Sequence, residues 1–138
     1  MLTITREFRF EAAHRLALAH LTDEENHTIY GPCSRIHGHS YRLRVTLCGT
    51  PNEYGWLLNF SDLKKIVTLH VLRLYDHACL NELEEYQEVL PTAESMATAI
   101  FHRLKPHLRG PNYRLLRVCV YETQDAWASW EDPCAADS

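Results

Sequence analysis

Apolar residues near the start of the chain fall on every second position. Leu2, Ile4, Phe8 and Phe10 keep this period, with Arg6 the only interruption. That alternation predicts a strand with one buried face. The same period returns over residues 40–48, with Tyr41, Leu43, Val45 and Leu47 inward and Arg42, Arg44 and Thr46 outward. Gly49-Thr50-Pro51-Asn52 is turn chemistry and closes that strand. Leu116, Val118 and Val120 alternate as a third strand, and residues 126–130 form a fourth.

Between these runs the period becomes helical. Ser61 is placed as an N-cap with Asp62 in the first turn, and the helix reaches about Leu74 with Leu63, Ile66, Val67 and Leu74 on one face. Thr92 caps a second helix, with Glu94 in its first turn and Met96, Ile100, Phe101 and Leu104 apolar, and Pro106 and Gly110 close it. Residues 17–32 are polar and acidic around Asp23-Glu24-Glu25-Asn26, a long excursion or lid with room for a short helix. The order strand-strand-helix-helix-strand-strand predicts an α+β fold, a four-stranded antiparallel sheet with two helices on one face. With no linker, repeat or low-complexity segment, residues 1–138 read as a single domain.

Composition narrows the function classes. With 46% hydrophobic and 23% charged residues, the chain has the balance of a globular protein. Its net charge of −4 lacks the basic field of general nucleic-acid binding. No apolar run approaches the roughly 18 residues of a membrane helix, and the start has no signal-peptide pattern. Five cysteines (33, 48, 79, 119 and 134), an odd number without a C-x-x-C pair, read as reduced thiols in the cytoplasm. Nine histidines make spacing the discriminator.

The strongest chemical signal is Cys33-Ser34-Arg35-Ile36-His37-Gly38-His39. Two residues apart on an extended chain, His37 and His39 point to the same face. His14, just past the first strand, completes a three-histidine set if the two strands pair. Three neutral imidazoles around zinc leave a fourth position for water or substrate. Cys33 is either a small buried hydrophobe or a thiol held near a cation that favours its thiolate. Asp76-His77 is either a helix-end pair or a carboxylate-supported proton carrier. Glu122 either ends the third strand or accepts from a ligand with two adjacent N–H donors.

Taken in order, Phe10-Glu11-Ala12-Ala13-His14-Arg15, Cys-x-x-x-His-Gly-His, Asp-His-x-x-Leu-Asn, Pro-Thr-x-Glu and Tyr-Glu-Thr resemble the 6-pyruvoyl-tetrahydropterin synthase family over nearly the whole chain. The resemblance implies the tunnelling fold, assembled into closed homo-oligomers, commonly hexamers. It implies zinc on His14, His37 and His39, Cys33 as catalytic base, and Asp76 and His77 as its proton-transfer partners. It places Glu122 and Thr123 under the pterin ring, with Thr92 and Glu94 as a second pterin-contacting segment. The implied substrate is 7,8-dihydroneopterin triphosphate, with no nucleic-acid or membrane partner.

Departures from the family pattern divide two branches. Ala93 stands where the family often has a hydroxyl, and Asn59 where many bacterial members have Asp. The acidic excursion resembles the animal, pyruvoyl-forming enzymes. The three-residue gap between Cys33 and His37 instead resembles the carboxy-forming branch of the queuosine pathway, which releases 6-carboxy-5,6,7,8-tetrahydropterin, acetaldehyde and triphosphate. That gap sets the reach of the thiol to the metal, so the carboxy-forming activity is the expectation. The alternatives are the pyruvoyl-forming synthase and a non-catalytic zinc-binding protein, which gives Cys33, Asp76-His77 and Glu122 no joint role.

Overall fold

The computed structural model describes residues 1–133; Cys134, expected to be a reduced thiol, lies outside them. Strands β1 (Leu2–His14) and β2 (His37–Gly49) both extend past the alternating runs that announce them. They pair antiparallel from Leu2 opposite Gly49 to His14 opposite His37, so the ladder carries the three histidines at one end. A two-residue strand, β3 (Ala78–Cys79), runs parallel to β1 against Ala12 and Ala13. On the other side, β4 (Tyr113–Thr123) pairs antiparallel with β2 and β5 (Ala126–Glu131) with β4. The sheet order is β3-β1-β2-β4-β5. The four long strands are antiparallel as expected. The fifth is too short to carry a period of its own.

The excursion between β1 and β2 contains α1 (Asp23–Tyr30). Thr22 and Glu25 form a reciprocal capping box at its start, each side chain accepting from the other's backbone N–H. The next helix starts earlier than expected: α2 (Phe60–Val67) is capped by Asn59, whose Oδ1 accepts from the Ser61 N–H at 2.8 Å, so Ser61 is not the cap. It runs on without a break through a π-helical stretch, Thr68–Leu72, into a last turn, α3 (Arg73–Tyr75). Thr92 caps α4 (Ala93–Leu104) as expected, its Oγ1 accepting from the Ser95 N–H.

The π-helical stretch changes which residues are buried. Leu63, Val67, Val71 and Tyr75, spaced in fours, are all fully buried, whereas Leu74 is exposed. On a regular helix each step of four overshoots a turn by about 40°, so three steps drift by about 120°. One residue of extra winding in a π turn takes up most of that drift. Tyr75 is thereby kept in the core, where its ring meets Phe10 edge-on, and Phe10 stacks on Tyr41.

Two bulges in β4 set its facing. Thr46 opposes Arg117 but Leu47 opposes Leu115, which leaves Leu116 unopposed. Leu115 therefore joins the main core, and Leu116, expected inward, packs with Cys48 in a separate cluster. A second slip, between Tyr121 and Thr123 against β5, leaves Glu122 as the extra residue. The core lies between one sheet face and α2, α3 and α4. Among the described residues no helix is long and apolar enough to cross a membrane, and Cys33, Cys48, Cys79 and Cys119 are free thiols.

Candidate metal centre and active site

The end of the β1–β2 ladder brings His14, His37 and His39 together on the core-facing side. The bulge in β4 adds Glu122. One ligand atom from each of the four lies within 4.8 Å of the others. His14 sits at 1% exposure, and its Nδ1 is 2.8 Å from the Pro91 carbonyl. A carbonyl only accepts, so Nδ1 carries the proton and Nε2 keeps its lone pair. The His37 Nδ1 stands 2.7 Å from the Arg35 carbonyl and fixes that ring in the same tautomer. The Nε2 atoms of all three histidines are buried without a hydrogen-bond partner among the described residues. Glu122 Oε1 approaches His39 Nε2 to 3.0 Å and His14 Nε2 to 3.9 Å, but neither contact is aligned as a hydrogen bond.

Unpaired buried nitrogens are costly unless something binds them. Burial is the main cause that holds the His14 imidazole below its ordinary value of 6.5. The Pro91 hydrogen bond opposes this, and His37 adds to the lowering. His39 is also lowered, again chiefly by burial, with Glu122 opposing. Three imidazoles with converging Nε2 atoms, two of them anchored through Nδ1, are what a divalent cation requires. Three imidazoles and one carboxylate fit a metal of the zinc type. Tyr41, fully buried below the rings, has its phenol pushed up by burial and is 3.4 Å from His14 Nδ1.

The other expected site residues lie around this centre rather than in it. Cys33 is half-buried in a 3-10 turn, Gly31–Ser34, and its carbonyl accepts from the Leu16 N–H at 2.8 Å, two residues past His14. Thr92 follows Pro91, the residue that anchors His14, so the start of α4 is tied to the centre; Glu94 is exposed in its first turn. Thr123 is exposed beside Glu122. Asp76 and His77 sit at the end of α3 on the outer edge of β1. Asp76 Oδ1 accepts from the Glu11 N–H and lies 3.0 Å from His77 Nδ1. The Glu11 N–H is the largest cause of a lowered Asp76 carboxyl, with His77 adding to it. His77 adopts φ 62°, a left-handed backbone that few non-glycine residues take, and its side chain is mostly exposed.

Sequence reasoning missed two asparagines. Asn81 Oδ1 accepts from the Arg15 N–H at 2.9 Å, and Asn81 Nδ2 donates to the Arg15 carbonyl at 3.0 Å. Together with Asp76 and the two residues of β3, it pairs the edge of β1 from Glu11 to Arg15. Asn26 grips Leu18 in the same manner. The only signal for Asn81 was its place in Asp-His-x-x-Leu-Asn.

Comparison with known proteins agrees with this arrangement. The family model described as 6-pyruvoyl tetrahydropterin synthase matches residues 3–133. The chain is 35% identical to the 6-pyruvoyl tetrahydrobiopterin synthase of Dictyostelium discoideum over 88% of its own length and 90% of that protein's. It is 34% identical to the 6-carboxy-5,6,7,8-tetrahydropterin synthase of Bacillus subtilis, over 73% of this chain and 68% of that protein. The solved 6-pyruvoyl tetrahydropterin synthase of Caenorhabditis elegans superposes with a TM-score of 0.86 at 32% identity, covering 95% of both chains. With its ladder end of three histidines and a match across nearly its whole described length, the chain belongs to the 6-pyruvoyl tetrahydropterin synthase family.

Proposed function

We propose that this chain is a zinc-dependent lyase that converts 7,8-dihydroneopterin triphosphate and one water to 6-carboxy-5,6,7,8-tetrahydropterin, acetaldehyde and triphosphate. The observation that carries the reading is the short link between base and metal centre. Three residues separate Cys33 from His37, and the Cys33 carbonyl is bonded two residues past His14. In this reading His14, His37 and His39 would hold zinc through Nε2. The metal supplies Lewis acidity toward the hydroxyls of the substrate side chain.

The chain's own residues do the rest. Glu122 accepts from the amino and ring N–H groups of the pterin. Its side chain is 30% exposed, so a ligand can reach it. Thr123, Thr92 and Glu94 line the pterin's approach. Cys33, as thiolate, removes a carbon-bound proton, and His77, oriented by Asp76, carries protons on the other side. The burial that lowers the His14 and His39 imidazoles disfavours their protonation, and so favours metal binding by those two rings.

Homo-oligomer formation, expected to be hexameric, belongs to the same reading. Among the described residues, β1 has a sheet partner on its outer side only at Ala12 and Ala13, and β5 is the last strand on the other side. Open edges of this kind invite pairing with further copies.

The pyruvoyl-forming reaction is the second reading, favoured by α1 and by the longer match to the Dictyostelium enzyme. Incubating the zinc-loaded protein with 7,8-dihydroneopterin triphosphate separates the two. One acetaldehyde per turnover and a 6-carboxytetrahydropterin mass are expected. A product that keeps the three-carbon side chain rejects the carboxy-forming reading, and no turnover at all favours a metal-binding protein.

A further inference from the structure

α1 buries a single residue, and it is an amide. Asn26 is 2% exposed, while the acidic residues around it on the helix face solvent. Its Oδ1 accepts from the Leu18 N–H at 2.8 Å. Its Nδ2 donates to the Leu18 carbonyl at 3.1 Å and reaches the Leu21 carbonyl at 3.5 Å. One side chain thus holds both main-chain groups of Leu18, as a neighbouring strand would. Two residues upstream, the Leu16 N–H donates to the Cys33 carbonyl, and one residue before that, Arg15 is held by Asn81. Residues 15–18 therefore form a strut that starts at His14 and carries Cys33 at its middle.

We infer that Asn26 is a positioning residue for the reaction: by fixing Leu18 it holds the strut to which Cys33 is bonded, and so sets where the Cys33 thiol stands relative to His14, His37 and His39. The acidic excursion is then a folded support for the thiol rather than a lid. The inference rests on the reading of Cys33 as the base. Asn81 is a poorer probe of it, because Asn81 grips the residue next to His14 and its loss would disturb the histidines too. A purely structural role for Asn26 would be to hold α1 in place. The Thr22–Glu25 capping box stabilises α1 without touching the strut, so Thr22→Ala is the matched control.

The experiment compares Asn26→Ala, Asn26→Asp and Thr22→Ala in the full-length, metal-loaded chain. Asn26→Asp keeps the shape and the acceptor for the Leu18 N–H but sets a carboxylate against two carbonyls; it carries the test if Asn26→Ala does not fold. Three readouts are taken: the absorption spectrum of the cobalt-substituted protein, the iodoacetamide labelling rate of Cys33 resolved by peptide mass, and kcat with KM. Both Asn26 variants should keep the cobalt spectrum, because the histidines stand on the ladder. Their Cys33 labelling should change while Cys79 labelling does not, and kcat should fall about a hundred-fold, the cost of roughly 1 Å of misplacement, with KM little changed. Thr22→Ala should match the parent protein in all three. Unchanged Cys33 labelling and kcat in Asn26→Asp, or equal losses in Thr22→Ala, overturn the inference. If Cys33→Ala proves fully active, the reading of Cys33 as base fails. Labelling then decides the position of the thiol by itself: a changed rate sustains the role of Asn26 and an unchanged rate ends it.

Discussion

Alkali acts on a buried pair that closes the core behind Asp76. The Tyr75 and Tyr86 hydroxyls are 2.7 Å apart, and both residues are buried. Burial is the main cause that pushes both phenols above their ordinary 10.0. As the pH rises past 10, the unfolded chain releases two protons that the folded chain retains. The folded state then binds more protons, so stability falls as pH rises. Each group costs about 1.4 kcal/mol per pH unit once its unfolded form ionises. Integrated from pH 9 to pH 11 with an unfolded value of 10, the pair costs about 2.7 kcal/mol, a large part of the roughly 5–15 kcal/mol that stabilises a domain. Tyr86→Phe should remove half of this, so its loss over the same interval should be smaller by about 1.4 kcal/mol. At neutral pH the variant should be less stable by about 1 kcal/mol, because the Tyr75 hydroxyl loses its partner. Urea melts at pH 9 and pH 11, followed by far-ultraviolet circular dichroism, measure both quantities. Equal alkaline losses in the parent and Tyr86→Phe would refute the reasoning, since the phenols would then ionise without unfolding.

Three further outcomes test the centre. His37→Ala should bind zinc more than about a hundred-fold more weakly with the fold retained, since even outer-shell losses cost about 10–100-fold; metal analysis after dialysis checks it. Cys33→Ala should keep its zinc and lose on the order of a hundred- to ten-thousand-fold in kcat, while Cys79→Ala stays active in the same assay. Glu122→Gln should raise KM for the pterin by about ten-fold or more, as a charged acceptor for two N–H groups is replaced by a neutral amide; steady-state kinetics with metal content held equal reads this directly.

What could be read in the sequence was what depends on period, on short cap signals such as Thr92 and on ordered motifs. The alternation in β1 and β2 located the strands, and the parity of His37 and His39 placed both rings on one face; the pairing of the two strands then brought in His14. Misplacements arose where a single residue breaks the period. The π turn exchanged Leu74 for Val71 and Tyr75, and the bulge at Leu116 reversed its facing. Asn59 took the cap because its side chain reaches the Ser61 N–H two residues on, a choice decided by the incoming chain rather than by the helix pattern. Glu122 was legible as a carboxylate at a strand end. That it stands against His39 depends on the register of β4 and on its second bulge, neither of which leaves a trace in composition or spacing.

The π turn at Thr68–Leu72 also makes the residue count of this helix a quantity under constraint. Deleting one residue there would restore regular winding with the phase beyond it nearly kept, but adding one would turn everything beyond it by about 100°. Tyr75 would leave Tyr86, and Asp76 would swing away from the Glu11 N–H that anchors it. Substitutions along the helix alter one contact at a time. An added residue alters the phase of the whole seam that joins Asp76, His77 and β3 to β1. Among natural and engineered variants this helix should therefore accept new side chains, or the loss of one residue at the π turn, far more readily than a gained residue. By absorbing one residue, the π turn keeps the phase that sets Asp76 and His77 at the edge of β1.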